Sequence, residues 1–204
     1  MNKKRFFLSL LSLALVAAVS VGATLAYLSA EDTKVTNTFS FGEIDVKIEE
    51  DVPTQLPDGA KADKPESGKG VVYSYLTPGM TLPKVPKVSV DAGVKSYVFI
   101  EISGFKDKVM TATDKNGTST IDSSWTLYTG TGDGTGNGVY YQIVEANSEM
   151  TFLANAFTEV TISNALTGEE TLDPVVIDVF AVQYANIELK DAYDLACASF
   201  AAAE

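Results

Sequence analysis

The sequence predicts an all-β fold: an antiparallel β-sandwich with a short C-terminal helix. Three observations carry this. About eight short runs rich in Val, Ile, Phe and Tyr are separated by turns bearing Pro and Gly, which is the spacing of a sandwich. Val175 to Tyr184 is almost continuously apolar and β-branched at its start, as in a strand covered on both faces and hence central. From Glu188 the period changes. Leu189, Tyr193, Ala196 and Phe200 recur at steps of four, three and four, giving one apolar helical face over residues 188–203, with Ala abundant as a helix prefers.

Ahead of these elements lies a targeting segment, residues 1–26. Lys3, Lys4 and Arg5 precede an apolar run from Phe6 to Val21, whose only polar residues are Ser9, Ser12 and Ser20. Thr24-Leu25-Ala26 then places small residues where a signal peptidase needs them. The apolar core is short of the roughly 20 residues of a comfortable bilayer span. The sequence therefore predicts export, with a cut between Ala26 and Tyr27 and membrane association only before that cut. An N-terminal arm, residues 27–42, follows. Val35, Phe39 and Phe41 fall on odd positions, whereas Ile44, Val46 and Ile48 fall on even ones. A one-residue slip turns every side chain of a strand to the other face, so the register resets near Gly42, an obvious place for a bulge. Either the arm is a separate piece ahead of a domain over residues 43–204, or the two form one bent strand.

Glu43 to Glu49 is the first strand of that domain. Residues 50–70 carry Pro53, Pro57, Pro65, Gly59, Gly68 and Gly70 without periodicity and read as a long mobile loop. Val71 to Tyr75 is a short strand, followed by the turn Leu76-Thr77-Pro78-Gly79. Lys87 to Val90 is another, turning at Asp91-Ala92-Gly93 into the β-rich run Tyr97 to Ile102. Trp125–Thr129 and Val139–Glu145 flank a stretch with five glycines between Gly130 and Gly138, which reads as a flexible hairpin tip. Met150 to Ile162, with Phe152, Leu153, Phe157, Val160 and Ile162, precedes the strand that begins after Asp173-Pro174.

Composition narrows the function. The chain has 204 residues and a formal charge of −12. Removal of residues 1–26 takes away three cations and no acids, leaving 178 residues at −15. Such a chain has room for a real core and is a poor partner for nucleic acid or anionic membranes. Cys197 is the single cysteine, so no internal disulfide forms. On the helix, between Ala196 and Ala198, it reads as a small buried hydrophobe rather than a dimer-forming thiol.

Several N-terminal motifs resemble one family. Thr24-Leu25-Ala26-Tyr27-Leu28-Ser29, then Asn37-Thr38-Phe39 and Phe41-Gly42, then the alternation Ile44, Val46, Ile48 are similar to the TasA and camelysin group, exported bacterial proteins cut by a dedicated SipW-type signal peptidase. Leu28 stands where Phe is usual and Ala30 where Asp is usual. A Pro-Gly turn, a Lys-led strand, an Asp-x-Gly turn and a Tyr-Val strand follow in the family's order. Phe99 replaces an Arg often found there, which predicts a more buried strand. The resemblance implies a jelly-roll type of sandwich and assembly into extracellular fibres by head-to-tail strand donation.

Catalysis is poorly provided for. No histidine is present, which removes an imidazole base, a Ser-His-Asp arrangement and the H-E-x-x-H zinc motif. The resemblance to camelysins raises a secreted metallopeptidase as one alternative, but the chain lacks the residues that chemistry uses. The sequence predicts no enzyme, no cofactor and no metal site. The Gly-rich stretch offers calcium only Asp133, whereas such loops need several oxygen ligands. Glu49-Glu50-Asp51 and Glu169-Glu170 read as solvated surface.

The arm is the remaining candidate. Tyr27, Leu28, Val35, Phe39 and Phe41 would be the donor-strand contacts, adding to the open sheet edge of a neighbouring copy; contacts of this heterologous kind do not close and so make filaments. The expected protein is thus a secreted structural subunit of a cell surface or biofilm-matrix fibre. Its partners would be the signal peptidase, further copies of itself and accessory matrix or cell-wall proteins. The alternative from a different class is a monomeric secreted or surface binding module using its loops.

Overall fold

The computed structural model describes residues 43–67, 69–147 and 149–202. The calls on the signal segment, on the cleavage residues Ala26 and Tyr27, on the arm residues Leu28, Val35, Phe39 and Phe41, and on Gly42 lie outside the described residues.

The described residues are mostly β-strand, in several antiparallel sheets, with one short C-terminal helix. One sheet orders β1 (Ile44–Glu49), β5 (Lys87–Ala92) and β10 (Thr151–Asn155). A second orders β12 (Val176–Gln183), β6 (Ser96–Ser103), β9 (Gly138–Val144) and the two-residue β8 (Thr126–Leu127). A third small sheet orders β4 (Thr81–Pro83), β11 (Glu159–Ile162) and β7 (Met110–Thr111). The hairpin of β2 (Lys61–Asp63) and β3 (Val72–Ser74) stands apart. No helix among the described residues is long and apolar enough to cross a membrane.

The main core lies between the first two sheets. In β1 and β5, Ile44 pairs with Ala92, Val46 with Val90 and Ile48 with Val88. Cross-strand partners share a face, so all six point inward, against Val98, Ile100 and Ile102 of β6 and against Phe157. A bulge between Phe152 and Ala154 leaves Phe152 on the solvent side while Ala154 enters the core. A second core lies on the far face of β6. There α1 (Leu189–Ala201) lays Ala192, Ala196 and Phe200 onto Tyr97, Phe99 and Val139. Tyr193 stacks on Tyr128 at 3.8 Å with rings nearly parallel. Its hydroxyl is pushed up to about 12 by a hydrogen bond with Cys197, then by burial. Cys197 itself is half-buried rather than fully enclosed.

Several expectations need correction. The apolar run near the C-terminus forms β12, which ends its sheet instead of occupying the centre. Its apolarity comes from packing on both faces: Ile177 and Val179 meet the main core and Phe180 and Val182 the helix layer. The inner strand covered on both faces over most of its length is β6, where Phe99 has no exposed surface. The Asp91-Ala92 turn is instead the end of β5, and the chain bends at Gly93 and Val94. The loop of residues 50–70 contains β2, with Ala62 opposite Tyr73.

The Gly-rich stretch is also more than a loose tip. Asp133 Oδ1 accepts bonds from the Thr135 amide at 2.9 Å and the Thr135 hydroxyl at 2.6 Å. Its Oδ2 accepts from Asn137 Nδ2 at 2.8 Å. Asn137 in turn grips both backbone groups of Phe105, at 2.9 and 2.8 Å. The glycines serve this folding-in: Gly136 has φ +115°, and a Cβ there would lie 2.5 Å from that of Ala112.

Candidate functional site: the seam between β1 and β12

Two sheets packed face to face have two seams. One is sutured. The Asp122 amide donates to the Ala156 carbonyl at 3.3 Å, Ile121 bridges to Phe157, and the Trp125 indole N–H donates to the Asn155 carbonyl at 2.7 Å. Those bonds tie the segment before β8 to the end of β10. At the other seam β1 lies beside β12. Among the described residues, β1 pairs only with β5 and β12 only with β6. Each therefore presents a row of backbone N–H and C=O groups without a ladder partner there, the condition that invites another strand.

A cleft of about 830 Å³ opens at this seam. Its floor is Ile48 of β1 with Ile177 and Val179 of β12. Its outer rim carries Lys47 and Glu49 from β1 and Asp178 from β12, and the β2–β3 segment supplies Lys64, Lys69, Val71 and Val72 as a wall. The alternation of the strands explains the division. Even residues of β1 and odd residues of β12 face the core, so Lys47 and Glu49 lie on the solvent side of β1, while the half-buried Asp178 shares the other face of β12 with Phe180 and Val182 and lies opposite Glu101 of β6.

One end of the cleft is fixed by a buried polar group. Glu50 is 7 % exposed, against the expectation of a solvated acid. Its Oε2 lies 2.7 Å from Lys84 Nζ, with side-chain exposures of 5 % and 13 %. The Tyr73 hydroxyl donates to the Pro83 carbonyl at 2.7 Å and lies 3.4 Å from Glu50 Oε1. Burial, then the charge of Glu50, raises the Tyr73 hydroxyl far above its ordinary value, so it stays a neutral donor. Lys64 Nζ donates to the Glu50 carbonyl oxygen. Glu50 thus ties the end of β1, the end of β4 and the hairpin together. A smaller apolar cavity of about 330 Å³, with Leu76, Leu82 and Leu172 in its lining, shares Val71, Val72, Lys84 and Val175 with the cleft.

Nearby charges divide into paired and unpaired. Lys47 pairs with Glu49 at 2.8 Å and Lys87 with Asp51 at 2.7 Å; the Lys87 ammonium holds the Asp51 carboxyl below its usual range. Among the described residues, Lys64, Lys69 and Asp178 have no ion-pair partner. No three His, Cys, Asp or Glu side chains gather among those residues where a metal ion could be held. Glu170 is exposed, as expected of surface, and its carboxyl is lowered by amide bonds from Thr167 and its neighbours. Sequence reasoning missed the Glu50–Lys84–Tyr73 group, whose members are far apart in the chain.

Compared with protein-family models, with curated proteins and with solved structures, the chain gives no match.

Proposed function

We propose that this is an exported structural protein whose subunits assemble head to tail into extracellular fibres, the arm of residues 27–42 entering the β1–β12 seam of the next copy. The observation that carries the reading is the contrast between the two seams: one bonded shut, the other lined by two strand edges over an apolar floor. A strand laid along the free edge of β1 or of β12 would bond to that edge and cover part of the apolar surface of Ile48, Ile177 and Val179. The jelly-roll arrangement of the sheets belongs to this proposal. The N-terminal motifs that resemble the TasA and camelysin group support the same reading. The same reading includes a signal segment cut at Ala26-Tyr27 and a secreted location at the cell surface or in a biofilm matrix. A SipW-type signal peptidase and accessory wall or matrix proteins are the partners this reading implies. No enzymatic activity is part of it.

The test uses the secreted chain, its first residue read by N-terminal sequencing. Negative-stain electron microscopy and light scattering then follow assembly across salt and pH. Filaments from the processed chain, lost with Val35→Asp and Phe39→Asp, are expected. A processed chain that stays monomeric under all conditions overturns the proposal and leaves a monomeric binding module.

A further inference from the structure

We infer that Asn116 is a site of spontaneous covalent modification: its side-chain amide is lost to attack by the backbone nitrogen of Gly117, leaving aspartate or isoaspartate at a hairpin tip, while the fold keeps a second Asn-Gly pair, Asn137-Gly138, intact. Nothing in this chemistry depends on strand donation. Glycine after asparagine leaves the attacking nitrogen without a side chain to hinder it, and the sequence has two such pairs. The structure treats them in opposite ways. Asn116 and Gly117 are exposed at the end of a tight turn. The Asp114 amide donates to the Thr118 carbonyl and the Gly117 amide to the Asp114 carbonyl, each at 2.9 Å. Gly117 takes φ +80°, the left-handed place that a three-residue hairpin loop gives to glycine. Asn116 Nδ2 makes one long bond, 3.3 Å to Asp114 Oδ2. Apart from the chain neighbours of Gly117, no atom lies within 4 Å of where a Cβ on it would stand, so the space beside the attacking nitrogen is open.

Asn137 is fastened instead. Its Oδ1 accepts from the Phe105 amide at 2.9 Å, and its Nδ2 donates to the Phe105 carbonyl and to Asp133 Oδ2, each at 2.8 Å. Gly138 is buried in β9 opposite Ile102. Turning the Asn137 amide onto the Gly138 nitrogen breaks three bonds and frays a strand end. At Asn116 the same motion costs one long side-chain bond and the opening of an exposed turn. Asp114 slows that opening, because its Oδ1 accepts from the Asn116 and Thr118 amides at 2.9 and 2.8 Å. The reaction needs only water. A bond forms between the Gly117 nitrogen and Asn116 Cγ, the Cγ–Nδ2 bond breaks, and ammonia leaves, the amide proton passing to solvent and the departing nitrogen taking one from it. Water then opens the ring at either carbonyl, giving aspartate or a backbone routed through the former side chain. Both products set a carboxylate beside Asp114 where a donor had been, and add a negative charge to a chain already at −12.

The test keeps the purified folded chain in warm, mildly alkaline buffer and follows both pairs by peptide mapping with mass spectrometry. A protein isoaspartate methyltransferase marks the isoaspartyl product. Asn116 should convert at least about tenfold faster than Asn137, since one opens with a surface turn and the other only with the strand that holds it. In the urea-unfolded chain the two rates should come within about threefold of each other, the bonds that separate them being gone. Asp114→Ala loosens the turn without altering either pair and should speed conversion of Asn116 by about fivefold, a thermal melt checking that the rest of the fold is kept. An Asn116 that lasts as long as Asn137 in the folded chain overturns the inference, whether both react or neither does. So does an Asn137 that stays equally slow relative to Asn116 in urea, because protection would then lie in the neighbouring residues and not in the fold. Asp114→Ala without acceleration overturns the part given to Asp114.

Discussion

Lys84→Met isolates the group that fixes the end of the cleft. It removes the ammonium 2.7 Å from Glu50 and leaves a carboxylate on a side chain 5 % exposed. What remains near that carboxylate is the Tyr73 hydroxyl, at a long 3.4 Å and already donating to Pro83; Lys64 serves the Glu50 carbonyl instead. An anion stranded in this way costs about 3 kcal/mol or more. For a domain of this size that lowers the melting temperature by about 6–12 °C. Glu50→Gln with Lys84→Met removes both charges and keeps a polar group beside Tyr73, so the pair together should cost about 1 kcal/mol. The assay is thermal and urea unfolding of the single and double variants, with Lys87→Met as control. Lys87 belongs to an exposed pair with Asp51, and its loss should leave the transition in place. A Lys84→Met shift below about 2 °C, or a double variant worse than the single one, would refute the reasoning.

Other outcomes follow from the same physical terms. Phe99→Ala, at a fully buried site between β6 and the helix, should cost about 3–5 kcal/mol in urea unfolding with little change in slope. Gly104→Ala should fail to fold or fold weakly, as read by circular dichroism, because φ is +94° and a Cβ would lie 2.0 Å from the Pro174 carbonyl oxygen. Burial raises the Asp133 carboxyl, but bonds from Thr135 and Asn137 outweigh it, so the group sits below its ordinary value. Its folded value is depressed, so its stabilisation is full above the unfolded value of 3.8 and is lost as pH falls below that. Melting curves of Asp133→Asn should lack this acid-dependent part. Assembly of the processed chain should strengthen with added salt or mild acid, as light scattering would show, because both reduce repulsion between acidic subunits.

Much of the fold was legible because its signals are local. Ile44, Val46 and Ile48 alternate in sequence and pair in register with β5. The helix expected over residues 188–203 spans Leu189–Ala201, since a period of three to four needs no tertiary information. The strands that escaped notice are short or charged. Lys61-Ala62-Asp63 has no apolar alternation, and Met110-Thr111 is two residues long. Sheet order is a different kind of fact. The run in β12 signalled cover on two faces, but a helix and a core can cover an end strand as well as a middle one. Burial of Glu50 was hidden for a similar reason. Its neighbours Glu49 and Asp51 are acids at the surface, and the partners that bury it are Tyr73 and Lys84, 23 and 34 residues away. Nothing within Glu49-Glu50-Asp51 distinguishes the middle residue.

The position of β12 bears on when the chain can fold. Strand β6 is the most buried strand, yet its partner on one side spans Val176–Gln183 and its outer cover is the helix after it. Neither exists until nearly all of the polypeptide is available, and pairing them closes a long stretch of chain, which is slow. A nascent chain that stops before Val176 leaves Tyr97 and Phe99 without that cover. The native core is thus completed from the C-terminal end, and its two aromatic side chains wait for the last two elements of the chain before they are covered.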